Sequence, residues 1–370
     1  MQKALRRDKS FYRYLARLTA PIALQNLITF SLGLIDTLMV SQLGNTEMAA
    51  VTTANVPVFL LISIVFGVQS GVGILISQYW GKKDLENISR AMGVAAYLGV
   101  GIAAVATLIS RVAEFAVCLV CALRSRTIPL RLRAFFHPGW EMCRRFIKYS
   151  SPVLLNEIAW GLGNSMLTVI LGYTVNSVEY LAANAVMGNL NRLFLVVCFG
   201  LGAATAVIVG KAIGEGKSHQ EVLDLSHTLL WVTILVGLAL AAVALALVPL
   251  LFQPIVFPLF KLYDQTAQIA TALAVTGFAS IPLHAYSITA VTGVLRAGGD
   301  VFCSAALDIS PQWLVALPLT AVIALVMNAS CWWVAAAVQA ESLLKCPLCW
   351  YRIRKGRWIH DVTLPEGRDL

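Results

Sequence analysis

Long apolar stretches separated by short polar ones dominate the chain. Each stretch has about 20 residues or more, the length that an α-helix needs to cross the hydrocarbon core of a bilayer. We predict nine such helices, at residues 15–40, 53–77, 92–122, 150–173, 182–209, 227–251, 267–293, 303–326 and 330–350. The alternation of barrel strands is not seen, and a helix pairs its backbone amides within its own segment. The pattern therefore indicates an all-α polytopic membrane protein.

Composition agrees with this pattern. The 370 residues are 58% hydrophobic and 13% charged, whereas a soluble domain has a charged share of about 25%. The net charge is +9, but the basic residues lie in short stretches between apolar runs. That distribution is typical of cytoplasmic loops, and it argues against a nucleic-acid partner.

The basic stretches also predict the orientation of the chain. Residues 1–17 are basic, and the apolar run after them continues to about Val40, which is too long for a signal peptide. Residues 41–50 and 174–180 contain no Lys or Arg, whereas 81–90, 124–148 and the tail from 352 are basic. We predict a multi-pass protein of the cell membrane (plasma or inner), with its N-terminus in the cytoplasm and the lipid bilayer as a partner.

The chain contains an internal repeat with a gap. Residues of the first copy match residues of the second copy that lie 131 to 133 positions later, until the separation jumps to 227. The matched pairs are Pro21 with Pro152, Gly67 with Gly200, Gly81 with Gly214, and Glu114 with Glu341. The second copy therefore holds about 94 residues that the first lacks. A six-helix unit has been duplicated, and the first copy has lost about three helices.

This repeat predicts the domain organisation. Residues 1–123 form a truncated N-terminal lobe of about three helices, and 124–148 form a basic cytoplasmic linker. Residues 149–351 form a C-terminal lobe of six helices, and 352–370 form a cytoplasmic tail. Three spans would carry the basic linker to the outer side, so we expect a topological conflict around residues 91–123.

Several motifs together resemble the multidrug and toxic compound extrusion (MATE) family. The first helix carries residues 20–26 and 34–40, and residues 43–50 follow it. The others are residues 77–81 at the end of the second helix, 152–163 in the fourth span and 294–300 after the seventh span. Family members usually have twelve helices in two six-helix lobes. The resemblance therefore implies a two-lobe helical bundle with about 9 transmembrane helices instead of 12.

The resemblance also implies an activity. MATE proteins export organic, often cationic, compounds in exchange for H⁺ or Na⁺, by rocking two lobes around a central cavity. Small organic cations are then the expected partners, H⁺ or Na⁺ is the coupling ion, and no organic cofactor is expected. The alternatives are a non-transporting remnant made by an internal deletion and a lipid-linked oligosaccharide flippase. A flippase would need a strongly cationic cavity, whereas the intramembrane charges are mostly acidic.

Two acids are candidates for cation coupling. A carboxylate in an apolar helix is costly, by roughly 2.5–3.5 kcal/mol, and usually faces the bundle interior or a wet cavity. Asp36 also matches the acidic residue that the family has in its first helix, although the helix that carries its partners is missing here. Glu157 lies in the fourth span, and its alternative role is a structural pair with Arg192.

The remaining candidates are polar groups and a structural signature. Residues that could line a substrate cavity, or only form hydrogen bonds between helices, are Asn26, Gln69, Asn156, Asn184, Asn189 and His284. Residues expected to shape helix ends and the loop after the seventh span are Gly81, Gly214, Arg296, Gly299 and Asp300. Asp308 is expected to act like these loop residues, and Glu341 to pair with a nearby basic residue.

Enzymatic and metal sites are not predicted. An intramembrane enzyme would need a paired-Asp, Ser/Lys or HExxH arrangement, and His284 stands alone in the sequence. The two CxxC pairs, Cys118/Cys121 and Cys346/Cys349, lie in or beside apolar segments, where packing is the simpler explanation than a zinc site.

Overall fold

The computed structural model describes residues 7–42, 56–106 and 139–362. These residues are helical apart from turns and one isolated β-bridge between Gly299 and Ile359. The helices are α1 Lys9–Ser41, α2 Val56–Gly81, α3 Leu85–Ala106, α4 Trp140–Gly172, α5 Ser177–Gly214, α6 His219–Leu259, α7 Asp264–Ala279, α8 Ile281–Arg296, α9 Val301–Val326, α10 Cys331–Val338 and α11 Ala340–Arg354. The prediction of an all-α membrane bundle is confirmed.

Five of the described helices are long and apolar enough to cross a bilayer: α1, α4, α5, α6 and α9. A sixth span is formed if α7 and α8, which meet at an angle of 50°, count as one. The break lies at Ser280, and Pro282 follows near the start of α8. Proline fits the first turn of a helix but not its interior, so the chain begins a new helix there.

Two of the nine predicted spans are not single straight helices. The segment 267–293 is the bent pair α7–α8 rather than one straight helix. The segment 330–350 is divided into α10 and α11, which meet at Gln339. The polar sequence of α11, which contains Glu341, Lys345 and two arginines in its last turn, explains why it is not an uninterrupted apolar span.

Helices α1 and α4 show the features that the internal repeat requires. Each has 33 residues, and in each a proline follows the first residue by twelve positions. Helices α2 and α5 likewise both end in glycine, at Gly81 and Gly214. The division into lobes remains a prediction, because residues 107–138 lie outside the described part of the chain, with the linker residues 124–138, Glu114, Cys118 and Cys121 among them.

Most of the basic residues in the described loops lie at one end of the bundle, which we call the basic end; Lys261 lies at the other end. The basic end includes the C-terminal end of α2, the turn after α5 and the end of α11, with Lys82, Lys83, Lys211, Lys217, Arg352 and Arg354. The opposite end, which we call the far end, joins α1 to the segment after α6. There Gln42 Nε2 donates to the Leu259 carbonyl oxygen at 2.8 Å, and Lys261 Nζ donates to the Gln42 carbonyl oxygen at 2.6 Å.

Helix α4 begins earlier than predicted. It starts at Trp140 rather than near residue 150, so the last part of the predicted linker is helical. Glu141 and Arg145 form an ion pair one helical turn apart, at 2.9 Å, and such pairs support a polar helix end. Arg145 also donates to the Tyr79 hydroxyl at 3.3 Å, which fixes the start of α4 beside the end of α2.

Helices α2 and α5 touch through a reciprocal glycine contact at the basic end. A Cβ on Gly81 would collide with the Lys211 carbonyl oxygen, and one on Gly214 would collide with the Gln78 carbonyl oxygen. Gln78 and Lys211 are themselves separated by the repeat offset of 133. Equivalent turns of the two repeat copies therefore face each other with their backbones in direct contact, which closes the bundle at this end.

Candidate functional site

A cluster of five charged side chains lies inside the bundle. The ion-pair cluster consists of Glu157 on α4, Arg296 at the end of α8, Asp308 on α9, and Glu341 and Lys345 on α11. The side chains of Arg296 and Lys345 are 2% and 4% exposed. Four different helices therefore place charge in the protein interior.

The cluster forms a continuous chain of contacts. Arg296 Nη1 donates to Glu157 Oε1 at 2.7 Å, and Arg296 Nη2 lies 3.7 Å from Asp308 Oδ2. Lys345 Nζ donates to Asp308 Oδ1 and to Glu341 Oε1, both at 2.7 Å. Asp308 thus connects the two cations and occupies the centre of the cluster.

Neutral polar groups surround this chain. Ser70 on α2 accepts from Arg296 Nη1 at 3.2 Å, and Asn156 Nδ2 donates to Asp308 Oδ2 at 2.8 Å. Eight buried polar side-chain atoms of the described residues have no hydrogen-bond partner, and Asn156 Oδ1, Arg296 Nε and Gln312 Oε1 are among them. Because α2 contributes Ser70, the cluster reaches across to the first three helices.

The cluster contains three carboxylates and two cations, so its formal charge is −1 when all five are ionised. Ionisable side chains inside a membrane protein are costly and usually mark an ion or substrate pathway. Binding one proton, or one monovalent cation, would neutralise the excess.

Local structure explains how Arg296 reaches the interior. The last eight residues of α8, Thr289–Arg296, form a π-helix, and Gly293 lies so close to Gly202 that a Cβ would be 2.9 Å from its carbonyl oxygen. The wider turn and the close approach to α5 direct the final side chain of α8 inward. Arg296 and Asp308, which were expected to fix a loop, are both members of the buried cluster, and their structural role remains a prediction.

Glu157 does not face an open cavity as an isolated acid. Glu157 is 6% exposed, and its carboxylate forms an ion pair with Arg296. The alternative partner considered from the sequence, Arg192, is not the residue that holds it. Glu157 also packs against Gly67 of α2, where a Cβ would lie 3.2 Å from its Cγ, so α2 and α4 are closely packed at this level.

Asp36, the other coupling candidate, lies apart from the cluster. It is exposed on α1 near the far end, on a surface that also carries the exposed Leu32, Ile35 and Met39. Among the described residues it has no ion pair or hydrogen bond. Its neighbour Thr37 accepts from Asn189 Nδ2 at 2.7 Å, so Asn189 connects α5 to α1 beside Asp36.

The remaining cavity candidates are dispersed. Asn156 is fully buried in the ion-pair cluster, and the Ser342 hydroxyl lies 3.0 Å from His284 Nε2, which joins α8 to α11. Asn26 and Asn184 are half-buried and Gln69 is exposed. These positions do not converge on one pocket in the described residues, and their roles remain predictions.

Two positions of the structural signature, Gly299 and Asp300, lie in the turn after α8, and Glu341 lies outside the signature, on α11. Asp300 accepts from Arg352 Nε at 2.7 Å, which ties the turn after α8 to the end of α11. Gly299 has a φ of +86°, a conformation that glycine adopts without steric cost. Glu341 pairs with Lys345, as predicted for a basic neighbour.

Sequence reasoning did not single out Lys345, and it did not place Asp308 in a buried cluster. The signal was present, because Glu341 and Lys345 are spaced i, i+4 within a segment otherwise rich in apolar residues. A charged pair at that spacing in a candidate span is as informative as a single acid. The described residues contain no group of three or more His, Cys, Asp or Glu that could hold a metal ion.

The solved structures that this chain resembles include MATE transporters. The chain superimposes on a structure titled "Outward-facing conformation of a multidrug resistance MATE family transporter of the MOP superfamily" with a TM-score of 0.72, 15% identity, and coverage of 96% of this chain and 98% of that one. The crystal structure of the eukaryotic MATE transporter AtDTX14 gives a TM-score of 0.71, 13% identity, and coverage of 95% and 97%.

Sequence comparison agrees with the structures. A probable multidrug resistance protein NorM of Deinococcus radiodurans is 33% identical over 81 residues, which are 22% of this chain and 18% of that protein. The MatE family model matches residues 21–118 and 152–322, and thus includes Asp36, Glu157, Arg296 and Asp308. The chain, a multi-pass membrane protein, therefore belongs to the MatE family, the multidrug and toxic compound extrusion proteins.

Proposed function

We propose that this protein exports organic cations from the cytoplasm across the cell membrane in exchange for H⁺ or Na⁺. Membership of the MatE family supports export as the general activity, and similar proteins are described as multidrug resistance proteins. The basic end corresponds to the cytoplasmic side, because short cytoplasmic loops are rich in Lys and Arg.

The observation that carries this proposal is the ion-pair cluster. An antiporter must bind its coupling ion at one side and release it at the other, so it needs an acid inside the membrane whose charge can be neutralised. The cluster has one carboxylate more than it has cations, and it joins α2 to four helices of the second half of the chain. Binding of the coupling ion would alter the contacts that hold these helices together.

A second candidate function, a non-transporting remnant, is favoured by Asp36. The family resemblance places the partners of this acid on a helix that the chain lacks, and Asp36 is exposed among apolar neighbours. If coupling requires those partners, Asp36 cannot contribute and the chain would keep the fold without the activity.

Ethidium efflux from energised cells distinguishes the two. The chain would be compared with Asp36→Asn, with Glu157→Gln, and with the matched control Asp224→Asn. Asp224 is exposed on α6, and its carboxylate accepts from the surface residue Gln220. Membrane insertion is measured for all four. We expect efflux that collapses with the ion gradient and is unchanged in Asp224→Asn.

The two site variants then locate the coupling group. If efflux is lost in Glu157→Gln but retained in Asp36→Asn, coupling is assigned to the ion-pair cluster. If efflux is lost in Asp36→Asn but retained in Glu157→Gln, coupling is assigned to Asp36. No efflux from a well-inserted chain would contradict an ethidium exporter. Recovery of efflux after insertion of the missing helices would then identify the chain as a remnant.

A further inference from the structure

The chain continues past α11 into a segment that crosses the basic end. We call residues 356–362 the C-terminal strap. It begins at a turn in which Gly356 has a φ of +71°, and its Trp358 is fully buried. Trp358 Nε1 donates to the Ile353 carbonyl oxygen at 3.1 Å, so the strap is anchored in the core of the second half of the chain.

The middle of the strap pairs with the turn between α8 and α9. The His360 amide donates to the Gly298 carbonyl oxygen at 2.8 Å, and Ile359 forms the isolated β-bridge with Gly299. A Cβ on Gly298 would collide with the Trp358 ring. The two adjacent glycines of this turn therefore provide the space in which the strap lies.

The end of the strap binds α2, in the first half of the chain. The Val362 amide donates to Gln78 Oε1 at 2.9 Å, and Gln78 Nε2 donates to the carbonyl oxygens of Ala297 at 2.8 Å and His360 at 3.3 Å. Asp361 forms an ion pair with Lys82 at 2.8 Å. Val362 is 2% exposed and packs in the core formed by α2, α3 and α4.

Gln78 connects the strap to the closure of the bundle. The side chain of Gln78 forms hydrogen bonds with both the strap and the α8–α9 turn. The backbone carbonyl oxygen of Gln78 contacts Gly214 of α5. Separating α2 from α5 at the basic end would therefore also pull Gln78 and Lys82 away from the strap. The two sets of contacts must break together.

We propose that the C-terminal strap is a latch that holds the basic end of the bundle closed, and that its release is a required step when this end opens. Only the second part, release during opening, rests on the proposed function, because a bundle that rocks during transport must open at this end. The latch itself is defined by contacts between described residues and requires no substrate to be detected.

Thiol labelling of the closed interface tests the latch. Ser77 is 6% exposed and lies against Gly210 of α5, so Ser77→Cys, in a chain whose eight native cysteines are replaced by alanine, reports opening. Inside-out vesicles are treated with an impermeant maleimide. Gln220→Cys, at an exposed position at the start of α6, is the control for orientation and amount.

We expect Ser77→Cys to react slowly, and Lys82→Asp to speed the reaction by about fivefold, the factor for loss of one partly exposed ion pair. Adding Asp361→Lys restores the pair with its charges exchanged and should return the slow rate. Gln78→Leu, which leaves buried backbone groups without partners, should raise the rate by about tenfold or more.

Equal rates in all these variants, with normal labelling at Gln220→Cys, would overturn the proposal. So would a fast rate in Lys82→Asp that Asp361→Lys fails to reverse. If Gln78→Leu does not insert, the Lys82 and Asp361 pair decides alone. Because no substrate is used, a chain that fails to export ethidium can still show the latch, and a working exporter can still lack it.

Discussion

At the scale of single residues, Arg296 is a charged side chain in the interior of the bundle. It is almost completely buried, and it holds both Glu157 and Asp308. Charges of this kind are tolerated because they are paired, and removing one partner of a buried pair leaves the other uncompensated. The arrangement makes a sharp prediction about stability that does not depend on transport.

Arg296→Met should lower the free energy of unfolding by about 3–5 kcal/mol, because it leaves the Glu157 carboxylate buried without its cation. Combining it with Glu157→Gln should recover most of this loss, since the second change removes the stranded charge. Thermal unfolding of the purified protein in detergent measures both.

The matched control is Arg352→Met. The ion pair of Arg352 with Asp300 is about as short but its side chain is 27% exposed, so we expect a cost of about 1 kcal/mol or less. An Arg296→Met protein as stable as Arg352→Met would show that the buried cluster is not what holds α8 to α4.

The sequence revealed the members of this cluster only in part. Glu157 was identifiable because an acid in an apolar helix is rare, but its partner was not. Arg296 lies 139 positions away and reaches Glu157 only through the π-helical end of α8, and a single sequence has no signal for that geometry. Asp36 shows the converse, since its position was identifiable while its exposure depends on which neighbouring helices are present.

At the scale of helices, α2 and α5, which belong to different repeat copies, approach each other through their backbones. Gly81 and Gly214 each face a backbone carbonyl of the other helix, and backbone cannot move aside as a side chain can. The apolar pattern predicted both helices, and the repeat predicted that these glycines are equivalent. It did not predict that they touch each other.

Gly214→Ala should therefore destabilise the closed bundle by about 1–3 kcal/mol, the usual cost of forcing extra volume into a well-packed site. The matched control is Gly73→Ala on α2, where a Cβ would meet nothing within 4 Å. There alanine should be neutral or stabilising by up to about 1 kcal/mol. In detergent, Gly214→Ala should lower the melting temperature, and Gly73→Ala should leave it unchanged or raise it. Equal shifts in the two variants would contradict a tight α2–α5 contact.

At the scale of the whole molecule, the basic residues define which way the protein lies in the membrane. Helix composition predicted a multi-pass bundle, and the family match confirms it. The side of residues 140–148 was ambiguous from the sequence, because three preceding spans would place them outside. The Arg145–Tyr79 hydrogen bond places the start of α4 beside Lys82 and Lys83 instead, so it shares the basic end.

Cysteine labelling in intact cells checks this orientation. With the other native cysteines replaced, Cys143 near the start of α4 should be protected from an impermeant thiol reagent and should react after lysis. Val175→Cys in a cysteine-free chain is the control, because Val175 is 85% exposed after the opposite end of α4 and should react in intact cells. Labelling of Cys143 from outside would mean that the basic linker has been forced across the membrane.

The position of the strap has a consequence for how the protein is made and handled. Residues 356–362 leave the ribosome after every described helix, so the last contacts at the basic end form only after all of these helices have been synthesised. A newly inserted chain would therefore pass through an unlatched stage. A fluorescent reporter or affinity tag joined directly after Val362, whose side chain is buried against α2, would hold the protein at that stage, whereas the same tag placed before Asp8 would not.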